Sequence, residues 1–213
     1  MTEEAMITEL LNRYPSLCKC KAEIENAAKA IIDCYENGGK LLLCGNGGSS
    51  ADCEHIVGEL MKGFLKKRPL SESKRTEMKD KCDLVDDELL NKLQGGLPAI
   101  AILSITALNS AFCNDVDPEL VYAQPLMALV KENDILIGIS TSGNSKNVFG
   151  AVKVAKALGI KVIGLTGKTG GKLKDTADIC ICATETETFK IQELHLPIYH
   201  YLCAAVEKHF FAD

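Results

Sequence analysis

The residues best suited to binding chemistry form a hydroxyl-rich loop, Ser140-Thr141-Ser142-Gly143-Asn144-Ser145. The loop follows a short apolar run that ends at Ile139, and a helical pattern begins after it at Lys146. At such a strand-to-helix junction, hydroxyls and the free backbone N–H groups of the helix face the crevice at the carboxyl ends of the strands. Both attract anions. The loop therefore predicts a site for the phosphate of a small molecule.

A second loop, Cys44-Gly45-Asn46-Gly47-Gly48-Ser49-Ser50, follows an earlier apolar run in the same way. Its glycines permit tight turns and a close approach of the backbone to a ligand. Neither loop carries the glycine pattern of a dinucleotide site or the Gly-Lys-Ser/Thr of a Walker loop. Each loop alone could equally be a turn that caps the next helix. Two such loops on adjacent strand ends favour a ligand site.

Two pairs of polar residues at helical spacing could supply acid–base or metal chemistry. His55 and Glu59 are four residues apart in a helical pattern over residues 50–66, so both project from one face. Gln192 and His200 are eight residues apart near the C-terminus, about 12 Å along a straight helix. The His/Glu pair is a reasonable half-site for zinc, whereas a Gln oxygen is a weaker ligand. Taken singly, His55 and Glu59 could form a surface ion pair, and His200 could be a hydrogen-bonded core residue.

Short apolar runs alternate with helical patterns along the chain. The apolar runs cover residues 40–44, 99–103, 134–139, 161–166 and 179–182. The helical patterns between them include residues 50–66, 117–130 and 146–158. Strand and helix in alternation predict an α/β fold with a buried parallel sheet. The carboxyl edge of that sheet would position both loops.

The two ends of the chain and one internal segment differ from this repeat. Residues 3–37 have a helical apolar stripe divided by Pro15, which predicts an N-terminal helical hairpin. Residues 187–211 predict one long C-terminal helix that Pro197 interrupts as a kink. Between residues 66 and 96 the chain carries many charges of both signs. This segment predicts a solvated insertion with one amphipathic helix, inside a single domain that spans residues 1–213.

The composition is that of a globular protein and argues against two classes of partner. Of the 213 residues, 46% are hydrophobic and 25% charged, and no apolar run approaches the roughly 18 residues of a membrane helix. The net charge of -5 and the aromatic content of 5% disfavour nucleic-acid binding. The acidic start, Met1-Thr2-Glu3-Glu4-Ala5, lacks the regions of a secretory signal. We expect a cytoplasmic protein that binds neither membrane nor nucleic acid.

The ten cysteines lie scattered through apolar segments, where a thiol behaves as a small hydrophobic group. Cys180 and Cys182 would share one face of a strand, but their spacing lacks the pattern of a structural zinc site. We expect most of these thiols to be free and to pack in the core of a protein in a reducing compartment.

Several segments, taken in chain order, carry a resemblance to a known family: residues 44–49, 114–115, 134–145, 164–168, 170–172 and 191–193. Together they resemble the sugar isomerase (SIS) domain family and, within it, the phosphoheptose isomerases. The resemblance covers nearly the whole chain. It implies a single SIS domain, with a five-stranded parallel sheet in a flavodoxin-like, Rossmann-like three-layer arrangement. It also implies a homotetramer with sites near the subunit interfaces.

The resemblance assigns roles to residues of this chain. The phosphate would bind Ser140, Thr141, Ser142 and Ser145. The sugar would contact Asn46, Gly47, Gly48, Glu59, Asn114, Asp115 and Gln192. One zinc ion per subunit would be held by His55, Glu59, Gln192 and His200. Glu59 and His200 would also be the catalytic pair, whereas His195 and His209 match no catalytic position and are expected to be packing or surface residues.

The implied activity is an aldose–ketose isomerase that converts sedoheptulose 7-phosphate to D-glycero-D-manno-heptose 7-phosphate through an enediolate. Glu59 would remove a proton beside the carbonyl, and His200 would return one. A tight metal ligand is a poor free base, so the zinc role and the base role of Glu59 compete. The alternative is a non-catalytic SIS protein that binds a sugar phosphate or a protein partner, as DnaA-associating relatives do. The presence of Glu59 and His200 favours the enzyme.

Overall fold

A computed structural model of the chain describes residues 2–211. Its strands are β1 (Leu41–Gly45), β2 (Ala99–Ala101), β3 (Ile135–Ser140), β4 (Lys161–Thr166) and β5 (Ile179–Cys182). They form one five-stranded sheet in the order β2-β1-β3-β4-β5, and every pair of neighbours is parallel. Each strand overlaps one of the predicted apolar runs. The predicted parallel α/β fold is therefore confirmed.

Helices make up most of the rest of residues 2–211. They are α1 (Glu3–Arg13), α2 (Lys21–Glu36), α3 (Gly48–Met61), α4 (Glu72–Lys81), α5 (Asp87–Lys92), α6 (Thr106–Asp115), α7 (Ala123–Leu129), α8 (Lys146–Ala157), α9 (Gly171–Thr176) and α10 (Thr188–Phe210). Three short 3₁₀ turns cover Pro15–Cys20, Ile102–Ser104 and Pro118–Leu120. Among these described residues, no helix combines the length and apolar character that crossing a bilayer requires.

The helices cover both faces of the sheet because successive side chains of a strand point to opposite faces. Leu41 and Leu43 of β1 pack into a core shared with α1, α2, α3 and α10. Leu42 and Cys44 pack into a second core shared with α7, α8 and α9. The result is three layers, with the helix that follows each strand end starting at the carboxyl edge of the sheet.

Strand β2 is shorter than the predicted run over residues 99–103. The 3₁₀ turn Ile102–Ser104 follows Ala101 directly. The buried amide of Asn109 donates to Ile102 O at 3.1 Å and to Leu103 O at 2.9 Å. A side chain thus satisfies these carbonyls in place of a neighbouring strand, which accounts for the early end of β2.

The predicted helical hairpin at the N-terminus is confirmed, since α1 ends at Arg13 and Pro15 begins the turn that leads into α2. At the other end, the single long C-terminal helix that the sequence predicted is confirmed as α10, with Pro197 inside it. A proline lacks the backbone N–H, so it removes one helical hydrogen bond. Pro197 and its neighbours Ile198 and Tyr199 are buried, and their packing favours a continuous helix.

The charged segment between residues 66 and 96 contains two helices, where the sequence predicted one. The Ser71 hydroxyl caps α4, and the Asp86 carboxylate caps α5. α4 buries none of its side chains, and α5 buries Leu90. The two ends of the segment meet, because Gly95 N donates to Arg68 O at 2.7 Å. The segment is therefore a solvent-exposed insertion whose two ends lie next to each other.

All ten cysteines are unpaired. Cys180 and Cys182 share one face of β5, as expected for a strand, with their sulfurs 3.8 Å apart. Burial raises the pKa of the Cys180 thiol to about 12. This thiol is therefore protonated at neutral pH and has little reactivity.

Candidate active site

The predicted anion loop, residues 140–145, connects β3 to α8 and is held in a defined conformation. The Ser140 and Ser145 hydroxyls lie 2.9 Å apart, and Gly143 N donates to Ser140 O at 2.9 Å. Gly143 has a φ of +67°, and a Cβ there would lie 1.9 Å from Gly170 O. A glycine is thus required at this position. The Thr141 hydroxyl has no hydrogen-bond partner among residues 2–211, so it is available to a bound anion.

The glycine turn at Gly170 and Gly171, which leads into α9, supports the anion loop through hydrogen bonds. Leu173 N donates to Gly143 O at 3.2 Å, and Lys172 N donates to the Asn144 side chain at 3.1 Å. The Asn144 amide in turn donates to Ser142 O at 2.9 Å. These bonds fix the backbone of the loop before any ligand binds, which lowers the entropic cost of binding.

The second loop, residues 45–48 and here called the glycine loop, is tied directly to the start of α8. The amides of Asn46 and Asn147 bond each other in both directions, at 2.8 and 2.9 Å. The Tyr122 hydroxyl donates to Gly45 O at 2.6 Å and to Asn46 Oδ1 at 2.8 Å. Burial raises the pKa of Tyr122, so it keeps its proton and donates. The two loops are neighbours, as their sequence positions predicted.

The sheet topology explains why these loops form one crevice. The strand order reverses between β1 and β3, so the connections after these strands leave on opposite faces of the sheet. In open α/β sheets this switch point is where ligands bind. Sequence reasoning missed Tyr122 and Asn147, which hold the crevice together. The available signal was a tyrosine in an apolar stretch, whose hydroxyl needs a partner when buried.

The predicted titratable residues meet between α3 and α10. His55 Nε2 lies 3.1 Å from Glu59 Oε1 and 3.5 Å from His200 Nε2. The Glu59 side chain is 14% exposed and the His55 side chain 42% exposed. His55, Glu59 and His200 are here called the acid–base cluster. Because His200 joins them, His55 and Glu59 form more than a surface ion pair.

Two further residues orient the cluster. The Tyr199 hydroxyl donates to Asp52 Oδ1 at 3.2 Å and lies 3.0 Å from His55 Nδ1. A hydroxyl that donates to a carboxylate accepts from a ring N–H, so we infer that His55 carries its proton on Nδ1. Nε2 is then the ring nitrogen that lies between Glu59 and His200. Sequence reasoning missed both residues, although Asp52 lies three residues before His55 on the same helix.

His200 combines partial burial with access to a groove. Burial, with a smaller contribution from nearby His55, lowers the pKa of His200, so its imidazole is neutral at pH 7. The Phe64 ring packs against the imidazole, with 5.5 Å between ring centroids. A groove of about 480 Å³ between α1 and α10 is lined by His200 together with Met6, Leu10, Tyr14, Phe64, Leu65 and Tyr201. A small molecule can therefore reach His200 from solvent.

The donor atoms around His55 Nε2 are spaced much like the ligands of a zinc ion. Two ligands of a tetrahedral zinc, each about 2.1 Å from the metal, are about 3.4 Å apart. The separations of 3.1 and 3.5 Å around His55 Nε2 match this value. The side chains touch each other directly, however, and no three His, Cys, Asp or Glu residues within 2–211 are already arranged to hold a metal. His55, Glu59 and His200 therefore fit zinc by their residue types and not by a preformed arrangement.

Gln192, Asn114 and Asp115 lie away from the acid–base cluster. The Gln192 amide packs on the glycine loop, where a Cβ on Gly48 would lie 2.4 Å from its Nε2. Asn114 and Asp115 are exposed at the end of α6 and bond each other at 2.9 Å. Within residues 2–211, no hydrogen bond joins these two to either loop. The structure thus brings together three of the four predicted zinc ligands.

Within one protomer, the acid–base cluster and the loops lie at different positions along the strand direction of the sheet. The anion loop is at the carboxyl edge of the sheet, where β3 ends at Ser140. α3 runs towards the opposite edge, because Leu60 O accepts from Leu97 N, two residues before β2. His55 is seven residues beyond Gly48, about 10 Å along the helix. Across the described part of the chain, no hydrogen bond joins the cluster to either loop.

The remaining histidines lie where they were expected, one in the core and one on the surface. His195 is fully buried, and its Nε2 lies 3.2 Å from Thr166 O. Desolvation by burial lowers the pKa of His195 to about 4. His209 pairs with Glu36 at 2.8 Å on the surface. Neither contacts the acid–base cluster or the loops through a hydrogen bond.

Comparisons with known proteins agree with the geometry. SIS domain models match residues 7–95 and 108–204. A phosphoheptose isomerase of Aneurinibacillus thermoaerophilus is 40% identical over 190 residues, 89% of this chain and 83% of that protein. A phosphoheptose isomerase of Aliarcobacter butzleri (strain RM4018) is 36% identical over 209 residues, 96% of this chain and 97% of that protein.

Solved structures give the same result. A phosphoheptose isomerase from Francisella tularensis superposes with a TM-score of 0.76 at 31% identity, covering 98% of this chain and 100% of that chain. A phosphoheptose isomerase from Neisseria gonorrhoeae superposes with a TM-score of 0.72 at 30% identity, covering 95% and 96%. The likeness therefore extends over the whole domain, including both loops and both helices of the acid–base cluster.

Proposed function

This chain belongs to the phosphoheptose isomerase family of SIS-domain proteins and is an aldose–ketose isomerase, and we propose how its residues perform the reaction. The substrate is sedoheptulose 7-phosphate, and the product we propose is D-glycero-D-manno-heptose 7-phosphate. The observation that carries the proposal is the contact of Glu59 and His200 with a common neighbour, His55. An acid and a base in one cluster are what an isomerase needs and a binding protein does not.

The phosphate of the sugar binds the anion loop. The free Thr141 hydroxyl, the exposed Ser142 and the first N–H groups of α8 supply donors. The Ser140–Ser145 hydroxyl contact and the bracing by the α9 turn keep these donors in place. The glycine loop, with Asn46 held by Tyr122 and Asn147, contacts the sugar hydroxyls. Asn114, Asp115 and Gln192 complete the sugar site by family resemblance.

The carbonyl end of the sugar meets the acid–base cluster. Glu59 takes a proton from the carbon beside the carbonyl, and an enediolate forms. Neutral His200 is the acid: its N–H gives a proton to the enediolate oxygen, and the ring then takes one back from the neighbouring hydroxyl. Glu59 gives its proton to the neighbouring carbon, so both residues return to their starting states. The Glu59 side chain is mostly buried, so little water competes with the sugar for its carboxylate.

We further propose that one zinc ion per subunit binds His55, Glu59 and His200, with Gln192 as a fourth ligand by family resemblance. The support is the donor chemistry and the separations around His55 Nε2. When bound, zinc acts as a Lewis acid towards the carbonyl oxygen. Glu59 has two carboxylate oxygens: Oε1 faces His55, and Oε2 accepts from Lys62 Nζ at 3.4 Å.

A homotetramer with shared sites accounts for the separation of the two groups. Within one protomer the anion loop and the acid–base cluster lie at different heights of the sheet, whereas one sugar phosphate must contact both. A second copy that places its loop over the groove beside His200 completes the site. The exposed Leu65 (68%) and Leu196 (40%) near this groove provide apolar surface for such an interface. The ten unpaired cysteines support a reducing, cytoplasmic compartment.

The direct test is a substrate panel with the purified protein. Ketose phosphates of five, six and seven carbons are incubated in deuterium oxide, and product formation and deuterium at the carbon beside the carbonyl are measured. We expect turnover of the seven-carbon substrate with deuterium incorporation, and loss of both in Glu59→Gln. If the protein binds these sugars but turns over none of them, the non-catalytic alternative is correct.

A further inference from the structure

A buried ion pair outside the predicted site links the two helices of the acid–base cluster. Arg68 Nε donates to Glu207 Oε1 at 2.8 Å, and the two side chains are 0% and 1% exposed. Arg68 lies at the start of the charged segment, and Glu207 lies in the last turns of α10. The Arg68 guanidinium also packs on the Phe211 ring, 4.5 Å from its centroid. The pair is therefore fully desolvated and rigidly held.

The guanidinium of Arg68 caps the end of α3. Its Nη2 donates to Glu59 O at 3.0 Å, and its Nη1 donates to Leu60 O at 2.6 Å. The last carbonyls of a helix lack intrahelical donors, and a planar guanidinium can satisfy two of them together. α3 ends one residue later, at Met61. Arg68 thus fixes the backbone of the residue that we propose as the base.

The carboxylate of Glu207 organises the chain between α3 and Arg68. It accepts from Phe64 N and Leu65 N, both at 2.8 Å, and from Lys66 N at 3.1 Å. Glu207 is seven residues after His200, two turns along α10. The Phe64 backbone held by Glu207 carries the ring that packs on His200. One carboxylate therefore joins α10 to the segment that covers the proposed acid.

We propose that Arg68 and Glu207 are positioning residues that hold Glu59 and His200 in register for catalysis. The inference rests on the proposed function, because it assumes that these two residues act on the sugar. Stability alone does not require the pair, since replacing a buried ion pair by well-packed neutral residues is often neutral or stabilising. The relative position of α3 and α10 does require the pair, because the planar Arg68 guanidinium binds the end of α3 and the Glu207 carboxylate of α10 at once. Small displacements of catalytic groups are costly to the reaction rate.

The test uses the neutral double variant R68M/E207Q and the charge-retaining variant Arg68→Lys in the full chain. The one side-chain oxygen of Gln at position 207 can still accept from Leu65 N and Lys66 N, which bond the same oxygen of Glu207, and Met fills the space of the Arg stem. We expect each variant to keep the wild-type oligomer and circular dichroism spectrum. We expect kcat to fall at least tenfold in the double variant and at least fivefold in Arg68→Lys, because a single ammonium cannot bridge three acceptors. KM should stay within about twofold, because the anion loop is remote from the pair.

Arg75→Met is the matched control, since Arg75 pairs with Asp87 on the surface at 3.1 Å. It should keep wild-type kcat. A folded double variant, or a folded Arg68→Lys, with wild-type kcat would overturn the proposal. Glu59→Gln is measured in parallel to separate two failures. If Glu59→Gln remains fully active, the proposed base is wrong. If Glu59→Gln is inactive while R68M/E207Q and Arg68→Lys remain active, only the positioning role is wrong.

Discussion

The Tyr199 hydroxyl lies 3.0 Å from His55 Nδ1 and donates to Asp52 Oδ1 at 3.2 Å. This arrangement places a proton of His55 on Nδ1 and turns Nε2 towards Glu59 and His200. A histidine that binds a metal commonly has its other ring nitrogen fixed in this way. The contact therefore connects the buried side of α3 to the proposed zinc site.

Tyr199→Phe removes this contact without changing the shape of the side chain. We expect the zinc affinity of the protein to fall about tenfold to 100-fold, as for other outer partners of metal-binding histidines. Competition with a chromophoric chelator measures this affinity independently of activity. Tyr201→Phe, a buried tyrosine two residues further along α10, is the control and should leave zinc affinity unchanged. Equal zinc affinity in wild type and Tyr199→Phe would show that the hydroxyl does not orient a ligand.

Gly143→Ala should damage phosphate binding. The added methyl would lie 1.9 Å from Gly170 O in a backbone with a φ of +67°, so the anion loop must move. We expect KM for the sugar phosphate to rise at least tenfold, and inorganic phosphate to lose its inhibition. Gly58→Ala in α3, whose methyl meets no atom within 4 Å, is the control. An unchanged KM in a folded Gly143→Ala variant would contradict the assignment of this loop to the phosphate.

Subunit mixing tests whether the site is shared between copies. Glu59→Gln lacks the base, and Gly143→Ala is nearly inactive at substrate concentrations well below its raised KM. A shared site combines an intact loop from the first chain with an intact cluster from the second. Coexpression should then restore about a quarter of wild-type activity, if chains assemble at random in a symmetric oligomer. Mixing Glu59→Gln with His200→Ala should restore nothing, because both residues contact His55 within one chain. Absence of recovery in the first mixture would place the whole site in one subunit.

His195 should make stability fall in mild acid. Its pKa is about 4 in the folded chain, below the ordinary 6.5, because burial disfavours the charged ring. Its contribution is therefore fully present above pH 6.5 and is lost as the pH falls towards 4. The loss for this fully buried group is about 3 kcal/mol at most. Urea unfolding of wild type and His195→Gln at pH 7 and 4.5 measures it, and the variant should show the smaller fall. Equal falls in the two proteins would mean that His195 is not the cause.

The elements of the fold followed from local pattern, but the contacts between them did not. Apolar runs predicted all five strands because β1, β3 and β4 are buried on both faces and the edge strands β2 and β5 are at least partly buried. The early end of β2 depended on Asn109, a residue of a later helix, and no run of residues before it carries that information. Continuity of α10 through Pro197 likewise depended on packing against other elements.

The candidate site was predictable in part for the same reason. His55 and Glu59 share a helix face, so their spacing alone predicted their contact. His200 joined them only through the packing of α10 on α3, which required the family resemblance. Tyr199, Tyr122 and Arg68 act through bonds to residues more than eight positions away or to backbone atoms. Tyr199 and Tyr122 lie in apolar stretches of the sequence and Arg68 in a charged one, so the local sequence did not indicate their hydrogen-bonding roles.

The meeting of Arg68 O with Gly95 N has a consequence for how the molecule tolerates change. A segment whose two ends are already one hydrogen bond apart can be shortened or exchanged without stretching the chain that remains, and the entropy of closing it depends only weakly on its length. Residues 70–93 are therefore a natural position for grafting a tag or a foreign domain. Arg68 lies outside the exchanged residues, so it would still cap the helix that carries Glu59 while the surface of the enzyme is changed.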